Sequence, residues 1–229
     1  MKRRYVTGMS TKTRIPAGRA VRMLSARRTA YFAFAAGATG ILANLFLIAL
    51  YVRLGLQAGR PEAQTVLGDL AGPASDLVGS LATAFMIPVA LHLGGRLPRR
   101  RAARLTQTAG LTAMSLLTIG GPLLVLGVLA FEVETSILVA AWIIFCLWLL
   151  LVNRWLRLSD ALPARVARFG ELSGAGVLAG YVVIGLGLLL PWMSWPQLVV
   201  FGVGVLIGLP AWLGIPVWFL MLGRDLETV

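Results

Sequence analysis

Asn44 lies near the middle of a long apolar stretch, where a polar side chain is costly unless something hydrogen-bonds to it. Counted at about 1.5 Å per residue from the nearer ends of their stretches, Asn44 is about 12 Å deep and Thr83 about 9 Å. At such depths the two can hydrogen-bond, and Ser80, Thr112, Ser115 and Thr118 offer further partners. Two kinds of chemistry fit a group of this type. One is glue between helices, worth about 0.6–2 kcal/mol per contact. The other is a small polar pocket for an uncharged ligand, built from Asn44, Ser80, Thr83 and Thr118.

Other reactive side chains are scarce. His92 is the single histidine and Cys146 the single cysteine, both inside apolar stretches. The bland readings are a neutral imidazole near the headgroups and a small packing residue. One His and one Cys make no tetrahedral metal site without several carboxylates, and the single Cys forms no disulfide within the chain. The only lysines are Lys2 and Lys12, far from any span, so a retinal Schiff base is excluded. Bis-histidine haem is excluded within one chain. H-E-x-x-H, P-loop, C-x-x-C and G-x-S-x-G patterns are all missing. Asp76, Glu132, Glu134 and Glu171 read as boundary residues, so coupling through a buried carboxylate is not expected. Neither catalysis nor a cofactor or metal is expected.

These residues must be positioned by membrane helices. The chain is 58% hydrophobic and 13% charged, against about 25% charged in soluble domains. Its apolar residues fall into six runs, roughly 31–52, 77–95, 109–131, 135–153, 172–193 and 198–222. Each is long enough for a helix to cross about 30 Å of hydrocarbon, and none alternates like a barrel strand. The expected fold is an all-α bundle of six transmembrane helices. Residues 1–30 form a basic N-terminal segment, 31–222 the membrane domain, and 223–229 a short tail.

The basic residues set the expected orientation. Residues 1–30 hold nine Lys and Arg, 96–108 five, 154–171 four and 223–229 one, while 53–76 hold two. The short segments 132–134 and 194–197 hold none. With alternate segments inside, all but two of the 21 basic residues are cytoplasmic, and so are both termini. The net charge of +12 thus reflects placement beside spans and not a nucleic-acid module. The basic face is expected to meet anionic lipid, at about 1 kcal/mol per residue near the surface. Span one is too long and starts too late for a signal-peptide core, and reads as an uncleaved anchor.

The segment 53–76 reads as a re-entry turn. Pro61 and Glu62 start a short interfacial helix, Gly72-Pro73 breaks it, and Ser75 or Asp76 caps span two. Glu62, Asp69 and Asp76 leave a ligand-contacting lid open as the alternative.

Glycine supplies the packing signal. Gly176 and Gly180 on span five, and Gly204 and Gly208 on span six, are spaced four apart, which lets backbones approach closely. Packing within the chain is the first expectation and a homodimer seam the second. Pro88, Pro210 and Pro216 are expected to bend their helices, and a broken span six can line a transporter site. "IPVALHLGGR" at 87–96 and "IPVWFLMLGR" at 215–224 share five of ten residues. Each identity has a local reason, including anchors at Arg96 and Arg224 and helix ends at Gly95 and Gly223, and a duplication stays open. Trp192 and Trp195 at the outer turn, and Trp155 at an inner boundary, read as interfacial anchors.

The basic "ARRTAYF" before span one, the arginine cluster "GGRLPRRRAAR" after span two, and the Pro/Gly-rich hairpin "LLLPWMSWPQLVVFGVGVLIGLPAWLGIPVWFLMLGRDL" together resemble small six-span integral membrane proteins of unknown function in high-GC bacteria. The likeness covers roughly residues 27 to 226. It implies a bacterial inner-membrane protein and carries no active-site residues. Two functions follow as expectations. The first is a non-catalytic accessory or regulatory protein acting through helix–helix contacts, with itself or another membrane protein. The alternative is a carrier or binding protein for a neutral or lipid-like small molecule.

Overall fold

A computed structural model describes residues 25–57, 66–128 and 131–228. The basic segment before Ser25, and Pro61 and Glu62 of the expected interfacial helix, lie outside the described residues. Among the described residues there are six helices and no strand: α1 (Ala26–Gln57), α2 (Val66–Gly94), α3 (Arg101–Val125), α4 (Phe131–Leu158), α5 (Ala164–Gly187) and α6 (Trp195–Glu227). All six are long and apolar enough to cross a membrane. The chain is an all-α, multi-pass membrane protein.

Three helices begin well before the expected spans. α3 starts at Arg101 and α5 at Ala164, where hydropathy places the spans at 109 and 172. Both first turns are rich in arginine, a good helix former whose long side chain reaches water from a helix end. α2 starts at Val66 and runs through Pro73 without a break. The expected turn at Gly72-Pro73 is therefore absent, and Ser75 and Asp76 lie inside the helix instead of capping it. Packing against α1 overrides the local signal here. A Cβ on Gly72 would stand 3.8 Å from Leu50, one on Gly79 would stand 3.9 Å from Ala43, and the Ser75 hydroxyl donates to the Ala43 carbonyl at 3.3 Å.

The helix ends have identifiable stops. α3 ends with Gly127 at φ 67°, while Gly127 and Val128 N–H groups donate to the Leu124 and Leu123 carbonyls at 2.8 and 2.9 Å. This is the left-handed closure that favours glycine. After α4 the same closure is made by Asp160, at φ 50°, with Ala161 N–H donating to the Leu156 carbonyl at 2.9 Å. α6 opens on Ser194, whose hydroxyl accepts from Gln197 N–H.

The helices close into a ring in chain order, each packed on the next and α6 on α1. Neighbours run antiparallel. On the α1–α6 side, Gly37 and Gly40 lie against Pro216, and Gly223 lies against Ala30 and Phe34. Arginines therefore gather at one end of the ring, from Arg27 and Arg28 through Arg99–Arg101 to Arg224. In that half the centre is filled by Met114, Phe145, Trp148, Leu149, Trp218 and Phe219, all at most 1% exposed. Outward faces stay apolar, as at Leu45, Leu189 and Leu206. That pattern suits lipid and not water.

Candidate functional site

The opposite half of the ring is not filled. A cavity of about 180 Å³ lies between α1, α2, α3, α4 and α6, lined on its polar side by Asn44, Ser75, Asp76, Ser80 and Thr83. Trp142 and Trp212 line it from α4 and α6. A second space of about 50 Å³ continues from it, shares Asn44, Thr83, Trp142 and Trp212, and ends against Met86, Ile215 and Pro216. Deeper still lies the packed aromatic core, so the cavity stops within the ring.

Local sequence explains why this half stays open. Residues 75, 76, 79, 80 and 83 fall on one face of α2 at helical spacing. Four of the five are small, so the wall recedes. Beside it, Gly121 lets α3 approach α2 closely, since a Cβ there would meet the Asp76 carbonyl at 2.7 Å. Ala43 and Gly40 keep α1 equally flat.

Three of the four expected polar residues meet at the cavity. Asn44, Ser80 and Thr83 line it. Thr118 does not, but its hydroxyl is 3.1 Å from that of Thr83. The expected Asn44–Thr83 hydrogen bond is not formed. Thr83 is engaged with the Ser80 carbonyl at 2.9 Å and with Thr118. Ser80 donates to the Leu117 carbonyl at 3.3 Å. Ser115 and Thr112 are exposed, and Ser115 bonds within its own helix to Leu111. Asn44 is 9% exposed, and its side chain makes no hydrogen bond to any described residue.

Asp76, a boundary residue by its position in the sequence, is a wall of this cavity. It sits about 9 Å along the axis from Leu70, where the span begins, and makes no ion pair among the described residues. The apparent helix break at Gly72-Pro73 conceals it in the sequence. Trp142 and Trp212 had a usable signal, for they fall in mid-span instead of at an interface. Their indole N–H groups find no partner among the described residues. The two core tryptophans differ. Trp148 donates to Gln107 Oε1 at 3.0 Å and Trp218 to the Val166 carbonyl at 3.1 Å.

The glycines are used within the chain. A Cβ on Gly180 would stand 2.7 Å from Gly208 Cα and 2.9 Å from the Gly204 carbonyl. One on Gly204 would meet Ile184, and one on Gly176 would meet Ala211. α5 and α6 are thus in backbone contact, as first expected. Pro88, Pro210 and Pro216 all lie inside unbroken helices. Pro216 is buried against Gly40, while Pro210 is exposed.

The turn between α5 and α6 holds a polar residue that the tryptophan-anchor reading passes over. Gln197 is 2% exposed. Its amide accepts from Met193 N–H at 2.7 Å and donates to the Gly187 carbonyl at 3.3 Å. The S-x-x-Q spacing of Ser194 and Gln197 is a capping-box signature and could have revealed it. Trp192 and Trp195 beside it are exposed, as interfacial anchors are. Comparison with protein-family models, curated protein sequences and solved structures gave no match to this chain.

Proposed function

We propose that this chain is a multi-pass protein of a bacterial cytoplasmic membrane that binds a small polar molecule in its central cavity, as a carrier or binding protein. The observation that carries this reading is Asn44. Its amide opens onto the cavity with no hydrogen-bond partner among the described residues, so a molecule or water bound there can hydrogen-bond to it. The cavity is small. An apolar cavity of about 150 Å³ holds benzene, so about 180 Å³ suits a ligand of roughly six to eight non-hydrogen atoms.

Regulation through helix contacts is the other class. Short loops, glycine faces and scarce ionisable residues support it, but Gly176, Gly180, Gly204 and Gly208 are occupied by the α5–α6 contact. We therefore place it second. No catalytic role is proposed. The orientation with both termini cytoplasmic draws on the arginine-rich end of the ring. Exposed arginines there, such as Arg99, Arg100 and Arg154, suit anionic headgroups. Bacterial origin draws on the overall resemblance and on the excess of Arg over Lys.

Asn44→Leu tests the binding reading. It replaces an unpartnered amide by an apolar group of similar size. The purified variant should melt at or above the wild-type temperature and bind no ligand. A fall in stability of about 0.6–2 kcal/mol with ligand binding intact would make Asn44 glue instead.

A further inference from the structure

We infer that the cavity selects a small organic ammonium ion; this deepens the binding reading and rests on it. Three features of the lining point to a cation.

Asp76 lines the cavity and has no basic partner among the described residues. A carboxylate inside a span is costly to insert, and those that occur usually serve a ligand or an ion path. Arg157 and Glu171 show the contrast: at the arginine-rich end these two form a two-bond pair of 3.0 and 3.1 Å. Among the described residues nothing comparable neutralises Asp76.

The serine hydroxyls add acceptors. Ser75 donates its hydrogen to the Ala43 carbonyl and Ser80 to the Leu117 carbonyl. A hydroxyl has one hydrogen and two lone pairs, so both oxygens have only lone pairs left for the cavity. Trp142 and Trp212 add two indole rings from the other side. Tryptophan is the strongest aromatic partner for a cation, and the attraction grows when water is excluded.

An organic ammonium fits this lining better than a metal ion. Indole rings are poor ligands for a hard cation, which needs about six converging oxygens. Among the described residues no three His, Cys, Asp or Glu side chains converge. The size limit of six to eight heavy atoms matches a tetraalkylammonium headgroup with a short arm.

The test uses the full chain in nanodiscs and two probes of one shape. Choline carries a quaternary nitrogen, and 3,3-dimethylbutan-1-ol has carbon in its place. Calorimetric titration should show choline binding at one per chain, at least tenfold tighter than the neutral alcohol. In Asp76→Asn the preference should fall to near unity, with the alcohol still bound. Trp212→Leu should lower choline affinity more than alcohol affinity, which keeps the test open if Asp76→Asn does not fold. Equal binding of both probes to the wild type overturns the cation inference and leaves the binding reading standing. A site that takes sodium chloride in preference to choline also overturns it. If neither probe nor sodium binds, the ammonium inference is overturned, and the binding reading is then decided by whether native mass spectrometry finds a retained small molecule.

Discussion

At the residue scale, the sharpest contrast lies between polar groups that find protein partners and those that do not. Gln107, Trp148, Trp218 and Gln197 are tied to backbone or to each other. Asn44 and Asp76 have no such partner among the described residues, and both line one space. Gln197 illustrates the tied class. Gln197→Ala removes the acceptor of Met193 N–H and a donor to Gly187, at about 1–3 kcal/mol. Met193 holds φ 58°, so loss of the clamp should also loosen this turn. Thermal unfolding of the variant in detergent, with proteolysis at the turn, checks both effects. Asn44 was legible from its mid-span position. Asp76 was not, because a Gly-Pro pair normally ends a helix and only the contact with α1 carries α2 through it.

At the element scale, the helices follow from apolar runs, but their ends do not. Hydropathy counts arginine as a loop residue, and so places α3 and α5 eight residues late. The local physics says otherwise, since arginine favours helix and extends to the headgroups. Glycine spacing predicted the α5–α6 contact but not which glycines bear it hardest. Gly180 meets backbone atoms that cannot move aside. Gly180→Leu should therefore destabilise by at least about 1–3 kcal/mol, as should Gly204→Ile combined with Gly208→Ile. Gly185 has open space around it, and Gly185→Leu should be nearly neutral. Melting temperatures of the three variants read the difference. If Gly180→Leu behaves like Gly185→Leu, the close packing of α5 on α6 is wrong. The α1 pair Gly37 and Gly40 carries no four-residue spacing signal, because the two are three apart. It receives Pro216 and Leu220 of α6 and closes the ring.

At the scale of the whole molecule, the six antiparallel helices of the described residues form a ring that is solid at its arginine-rich end and hollow in the other half. The charge pattern made the span count legible, because losing one span would put basic segments on both sides. The hollow half was not legible. It depends on which faces of α1 and α2 meet, and no single helix encodes that. The proposed orientation predicts that a reporter fused after Val229 is active only in the cytoplasm; periplasmic activity would refute it. The central claim is that the hollow half holds a small polar molecule. Native mass spectrometry of the protein, released gently from its own membrane, tests it most directly. The account predicts one retained small molecule per chain in the wild type and none in Asn44→Leu. An empty wild type, or the same mass retained by the variant, would contradict it.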